Sequence, residues 1–332
     1  MTGQKKRYSN AVTATISGIT DLFMKQQNIV SLRDDDRLDG KNVLITGASS
    51  GLGLAAAIQL ASRGAKVWMA CRSGIPEKGE MVKKRSGNQQ VTMLQVDLAD
   101  LQSVIALTNT LKAQAVKIDV LVDNAGMVPG KSRKTKQGME EMFVVNYLSK
   151  FLLTRLMLEN ELFNTEQGKA PRIIYVASES HRNPGEFDWD AFGKYKSYPM
   201  TKTVEYYGYY KLLLTTFANE LSRRINHQPH VAYSVFALCP GPVNSNIARE
   251  APLVFKPLLK LVFKLFFRDP AVAVQPVVYF AASPEVEKKP IDYLFLMSRK
   301  DMDDKATDKQ NGARLWKLSE ELLREHGIFF SR

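Results

Sequence analysis

The sequence predicts a doubly wound α/β fold, a single parallel sheet of about seven strands with helices on both faces. Short apolar runs alternate with helical stretches across some 250 residues, the pattern of a parallel sheet covered on both sides. The first run, Asn42–Thr46, passes through a glycine turn, Gly47-Ala-Ser-Ser-Gly51-Leu-Gly53, straight into a helical stretch. The composition supplies the core: 45% of the 332 residues are hydrophobic and 24% charged, as in an ordinary globular protein.

Residues 1–38 read as an N-terminal extension. Val12, Ile16, Ile19 and Phe23 follow a roughly helical spacing, and Asp34-Asp35-Asp36 marks a solvated break. A packing arm and a membrane or partner contact both suit it. Residues 39–332 read as one domain. Strand one leads into the glycine turn and the helix Leu54–Arg63. The glycines let the backbone turn tightly and approach a pyrophosphate, whose charge meets free N–H groups at the helix start. Strand two, Ala65–Cys71, ends at Arg72, where this fold contacts an adenosine ribose; an arginine there accommodates the 2′-phosphate of NADP. Strand three is Val91–Val96, followed by Asp97-Leu98 and a helix from Leu101 to Ala115. Strand four, Ile118–Val122, closes on Asp123-Asn124-Ala125-Gly126. A long helical stretch from Gly138 to Leu162 carries Asn146 at its middle, where asparagine competes with the backbone for hydrogen bonds and needs a specific reason. Strand five, Arg172–Ala177, ends at Ser178, and a helix reaching about Ile225 carries Tyr207. Strand six, Val231–Leu238, ends in Cys239-Pro240-Gly241-Pro242-Val243. A lid-like insertion at 245–268, a helix Ala271–Ala282, a strand Ile291–Met297 and a helical tail Ala306–His326 complete the chain.

The net charge of +12 and pI of 9.5 suit phosphate-bearing ligands or anionic surfaces. Basic residues are spread along the chain and no nucleic-acid motif accompanies them, so no nucleic-acid partner is expected. No run reaches the ~18 apolar residues of a membrane-spanning helix, and no secretory leader is read at the start. Cys71 and Cys239 sit in apolar runs as expected buried thiols, and the four scattered histidines give no metal spacing.

Tyr207 and Lys211 lie four apart, on one face of a helix. An ammonium there is expected to pull the phenol's pKa below its ordinary ~10. A second Tyr-x-x-x-Lys, Tyr198 to Lys202, contains Pro199, which confines Tyr198 to a helix entrance. Tyr206, Tyr209 and Tyr210 fall on other faces at ~100° per residue.

In this order, the residues resemble the short-chain dehydrogenase/reductase family over about Asp39 to Ser283. Within it, Ala70-Cys71-Arg72, Asn146–Thr154, Phe187–Asp190 and Ala281–Val286 resemble the retinol dehydrogenase branch. The resemblance implies a Rossmann-type domain that transfers hydride between a nicotinamide, NADP(H) in preference to NAD(H), and a carbonyl or alcohol. It implies a catalytic tetrad of Asn146, Ser178, Tyr207 and Lys211, with Asn146 holding a water that relays protons to Lys211. It implies cofactor contacts from Thr46, Gly47, Ser49, Ser50, Gly51, Leu52 and Gly53, from Arg72, Asp97 and Leu98, and from Asn124, Ala125 and Gly126. Tyr207, Lys211, Pro240, Gly241 and Val243 complete that set. The chain departs from the family at Asp123, which stands for an asparagine, at Gly208 and Tyr210 inside the tyrosine motif, and in lacking a glycine before the last strand.

Leu253–Phe267 is apolar apart from Lys256, Lys260 and Lys264, which with Arg268 form a stripe four residues apart. It reads as a lid over a lipophilic pocket, as an interfacial helix on anionic lipid, or as both. The expected partner is a small lipophilic retinoid, steroid or aldehyde, and the expected place is the cytoplasm, with peripheral contact to an intracellular membrane left open. A homodimer or homotetramer stays open, and so does a catalytically silent dinucleotide-binding regulator on the same fold.

Overall fold

A computed structural model describes residues 28–166, 170–226, 230–243 and 268–331. Most of the N-terminal extension and all of the 245–268 insertion except Arg268 lie outside these residues. One eight-stranded sheet organises the described chain, in the order β3-β2-β1-β4-β5-β6-β7-β8. Its strands are β1 (Asn42–Thr46), β2 (Lys66–Cys71), β3 (Val91–Gln95), β4 (Val120–Asp123), β5 (Arg172–Val176), β6 (Ser234–Cys239), β7 (Ile291–Phe295) and β8 (Ser298–Arg299). All pairs are parallel except β7 with β8, a short antiparallel return just beyond the expected last strand Ile291–Met297 that the sequence reading did not include.

The strands alternate between two cores because side chains alternate across a sheet. Leu44, Leu121, Ile173, Tyr175, Val235 and Tyr293 face one core. That core is closed by α3 (Leu101–Ala113), α4 (Ser149–Glu159), α5 (Thr203–Ile225) and α7 (Lys309–Glu325). Val43, Ile45, Val122, Ile174, Phe236 and Leu294 face the other, under α1 (Gly51–Ser62) and α6 (Gln275–Ala282). Phe236 and Phe280 stack there, 4.3 Å apart and 1° from parallel. The helix α2 (Glu77–Ser86) has no counterpart in the sequence reading. Its sequence is nearly all polar, and Val82 is its one large fully buried side chain, so apolar periodicity could not show it.

The long helix expected from Gly138 to Leu162 is three pieces. A single turn, Glu141–Phe143, leads into a π-helical turn, Val144–Leu148, and then α4. Asn146 lies within the π turn, a form that is rare and recurs at functional sites.

The C-terminal helix α7 braces the site from behind. Trp316 meets Phe151 of α4 at 5.2 Å and Phe217 of α5 at 5.9 Å, with the Arg224 guanidinium 4.4 Å above its ring. Trp316→Ala is expected to cost about 3–5 kcal/mol, from lost burial and the cavity left behind. A urea titration of both proteins reads the loss directly.

Candidate active site

Parallel strands deliver their carboxyl ends to one edge, and the strand order reverses between β1 and β4, where ligands of such sheets bind. The glycine turn lies at this point. Gly47 and Gly51 take φ of +65° and +53°, and the Gly47 N–H donates to Ala70 O at 2.9 Å. A Cβ on Gly53 would lie 2.3 Å from Gly47 O and 2.5 Å from Asn124 Nδ2, so only glycine permits that approach. Ser50 caps α1 in extended geometry without a side-chain hydrogen bond, and no acid occupies the first turn. The first N–H groups of α1 are thus available to an anion, and the turn fits a pyrophosphate. Ser49 is half-buried beside Gly74, whereas Leu52 turns its side chain into the core, leaving its backbone to face the turn.

Around that turn, Asn124 Nδ2 donates to Thr46 O at 3.0 Å and the Ala125 N–H donates to Thr46 Oγ1 at 3.1 Å. Gly126 is exposed. Asp97 accepts the Ala99 N–H on one carboxylate oxygen, and Leu98 is a core residue. Arg72 is exposed at the end of β2, and its guanidinium has no partner among the described residues. Pro240 is buried, Gly241 has φ of +77°, and Val243 bridges to Arg268.

Ser178, Tyr207 and Lys211 come together beside the ends of β5 and β6. The Lys211 amine is buried and donates to Val176 O at 2.7 Å, 5.5 Å from the Tyr207 ring centre. Ser178 Oγ accepts from Ser180 Oγ at 2.8 Å and from the Ser180 N–H at 3.2 Å, which leaves its own proton to be donated. Asn146 uses its side chain on the backbone of Met127: Oδ1 accepts the Met127 N–H and Nδ2 donates to Met127 O, each at 2.9 Å. These contacts give an asparagine at this place in the helical stretch a specific reason. Tyr198, by contrast, donates to buried Glu140 at 2.8 Å and stacks on Tyr206, while Lys202 pairs with Glu205.

Electrostatics differ from the expected lowering of the tyrosine. Burial pushes the Tyr207 phenol above its ordinary value, nearby Cys239 pushes the same way, and a hydrogen bond with Ser178 opposes them. Burial lowers the Lys211 amine to about 7; the Lys150 ammonium adds to this, and Asp123 and Cys239 oppose it. For both groups desolvation is the largest influence. Cys71 and Cys239 are free and buried, each pushed up to about 11 by burial. Among the described residues no group of side chains is arranged to hold a metal.

Several positioning residues escaped the sequence reading. His181 Nε2 accepts the Asp303 N–H, so Nδ1 carries the proton and donates to Ser178 O at 2.6 Å. Burial, and then Arg182, hold its pKa down at about 4. Glu179 is held below the usual carboxylate range despite its burial, by Arg182 and Lys300, and accepts from Tyr293. Gly208, one of the departures from the family's tyrosine motif, is where the helix meets the Ser178 turn: a Cβ there would lie 2.8 Å from Ser180 O.

Alanine ordinarily gains up to ~1 kcal/mol over glycine inside a helix. Gly208→Ala is expected to do the reverse, lowering the urea midpoint as Ser180 is pushed away. A second expectation concerns pH. An amine falling from 10.5 to about 7 on folding binds a proton on unfolding throughout that range, so this contribution to stability rises as pH climbs from about 7. The buried thiols oppose it only near their ordinary 9.0 and above. Stability of the protein relative to Lys211→Met should therefore increase between pH ~7 and ~8.5, read by urea titration at each pH.

Comparison with known proteins agrees with this geometry. The short chain dehydrogenase family matches residues 41–192, and the NAD(P)H binding domain of trans-2-enoyl-CoA reductase matches residues 4–68. The chain is 33% identical to retinol dehydrogenase 14 of Homo sapiens over 307 residues, 87% of this chain and 88% of that protein. It is 32% identical to retinol dehydrogenase 12 of Mus musculus, over 86% of this chain and 87% of the relative. The fold resembles the 3-ketoacyl-(acyl-carrier-protein) reductase from Brucella melitensis solved with NADH, at a TM-score of 0.57 and 22% identity, covering 78% of this chain and 97% of that one. The chain belongs to the short-chain dehydrogenase/reductase family, in its retinol dehydrogenase branch, and is an NAD(P)-dependent oxidoreductase acting on CH–OH groups.

Proposed function

We propose that the protein uses NADP(H) to interconvert a lipophilic carbonyl compound and its alcohol, of retinoid, steroid or aldehyde type. The observation that carries this is the meeting of Ser178, Tyr207 and Lys211 beside the end of β5, two strands across from the glycine turn after β1. The retinol dehydrogenases among its relatives support a retinoid-like substrate. Arg72, exposed and free of partners among the described residues at the end of β2, supports the 2′-phosphate of NADP.

In the reductive direction the nicotinamide, when bound, supplies hydride to the carbonyl carbon. Ser178, whose hydroxyl proton is not taken up by Ser180, donates it in a hydrogen bond to the carbonyl oxygen, where negative charge grows. Tyr207 gives its phenolic proton to that oxygen, completing the alcohol. Its raised pKa keeps the phenol protonated at rest, which suits a donor. Lys211, titrating at about 7, can exchange protons at neutral pH, and its ammonium favours the phenolate left behind. Asn146 fixes Met127 and hence the Gly126 backbone that faces Lys211, a positioning task. Peripheral membrane contact would fall to the cationic stripe of 253–268.

The test is NADPH consumption with all-trans-retinal, steroid ketones, and short and long aldehydes, repeated with NADH. Turnover with retinal and NADPH is expected. Tyr207→Phe should keep NADPH affinity and lose at least ~10²-fold in turnover. Residual activity above a tenth would remove Tyr207 from the proton transfer.

A further inference from the structure

Beneath the cofactor turn lies a charged pair that the reaction does not consume. Lys150, four residues beyond Asn146, and Asp123, the last residue of β4, are both fully buried. The Lys150 amine donates to Asp123 Oδ1 and to the Asp123 carbonyl, each at 3.0 Å. Asp123 Oδ1 also accepts the Thr46 hydroxyl at 2.7 Å, and Thr46 Oγ1 in turn accepts the Ala125 N–H. Asp123 Oδ2 is buried with no hydrogen-bond partner. Across the thin wall of Gly126 stands Lys211: a Cβ on that glycine would lie 3.7 Å from the Lys211 amine and 3.2 Å from Asn146 Oδ1.

Two buried amines therefore lie near one carboxylate, Lys150 bonded to it and Lys211 feeling its charge, and burial pushes both amines below their ordinary values. A buried charge that loses its partner is far more costly than a buried pair, and a like charge nearby is felt strongly at low dielectric. The charged and titratable groups facing Lys211 are Lys150 from α4, Asp123 from β4, Cys239 from β6 and Tyr207 from its own helix. Asp123 is also the position where the chain departs from the family's asparagine, and Lys150 is the residue that answers it.

We propose that Asp123 and Lys150 are a coupled positioning pair for the catalytic centre: Asp123 holds Thr46 under the glycine turn, Lys150 balances Asp123, and together they form the charged surroundings of the Lys211 amine behind Gly126. Neither residue touches the reacting atoms. The two positions are interdependent, so that each serves the site only when the other is present. The proposal rests on the reading of Lys211 and the glycine turn as a nicotinamide site.

The experiment is a double-mutant cycle on the full chain with Asp123→Asn, Lys150→Met and the two combined. Two quantities are read: NADPH affinity by fluorescence titration, and the pH at which urea stability begins to rise relative to the same variant carrying Lys211→Met, a difference that reports Lys211 without cofactor or substrate and sets aside the titration of buried Lys150. Asp123→Asn leaves an unbalanced ammonium beside Lys211 and should move that pH down. Lys150→Met leaves an unbalanced carboxylate and should move it up. Each single change should weaken NADPH binding tenfold or more, and the double variant should return both quantities towards the parent, within about threefold in affinity. Single variants that fail to fold beside a double variant that folds would show the same interdependence. Single effects that add in the double variant, or an unmoved pH in both single variants, would overturn the proposal. Failure of the nicotinamide reading looks different: the unmodified protein would bind neither NADPH nor NADH.

Discussion

A lysine amine buried at the end of a strand must find an acceptor, and Lys211 finds the carbonyl of Val176. That contact ties α5 to β5 and fixes the depth at which the helix lies on the sheet. Tyr207, one turn earlier, is then held against Ser178, two residues beyond the same strand. Burial has opposite consequences for the two ionisable partners. It makes the phenol hold its proton and the amine release one, so the pair rests closer to neutrality than a free tyrosine and lysine would.

The support for this arrangement arrives from far along the chain. Gly208 lets the helix come close enough to touch the Ser178 turn, and His181 and Glu179 fasten that turn to the segment after β8 through Asp303 and Lys300. The aromatic seat of Trp316 holds α7 against α4 and α5. The final third of the described chain thus supports the arrangement of Ser178, Tyr207 and Lys211.

Much of this was legible in the residues. Strands announced themselves through apolar runs, and the glycine turn through its place between a strand and a helix. The proposed site residues stand out in the sequence because most follow a strand end or sit at helical spacing. What escaped had no local signature. The helix α2 is polar almost throughout, and the π turn at Val144–Leu148 is a local change of winding inside an apolar stretch. The meaning of Asp123 depended on Lys150, and that of Gly208 on Ser180, contacts made only when the chain closes on itself. The direction of the tyrosine's pKa was misjudged because spacing shows the neighbouring charge but not the burial that outweighs it.

The short return β8 also has a bearing on how copies of this protein could meet. Residues 28–30 lie alongside it: the Val30 N–H donates to Met297 O, the Arg299 N–H to Asn28 O, and Ile29 bridges antiparallel to Ser298. An open strand edge offers unpaired N–H and C=O groups to any passing chain. Here the molecule covers that edge with its own backbone. A sheet continuing from one copy into the next directly through β8 would first have to peel residues 28–30 away.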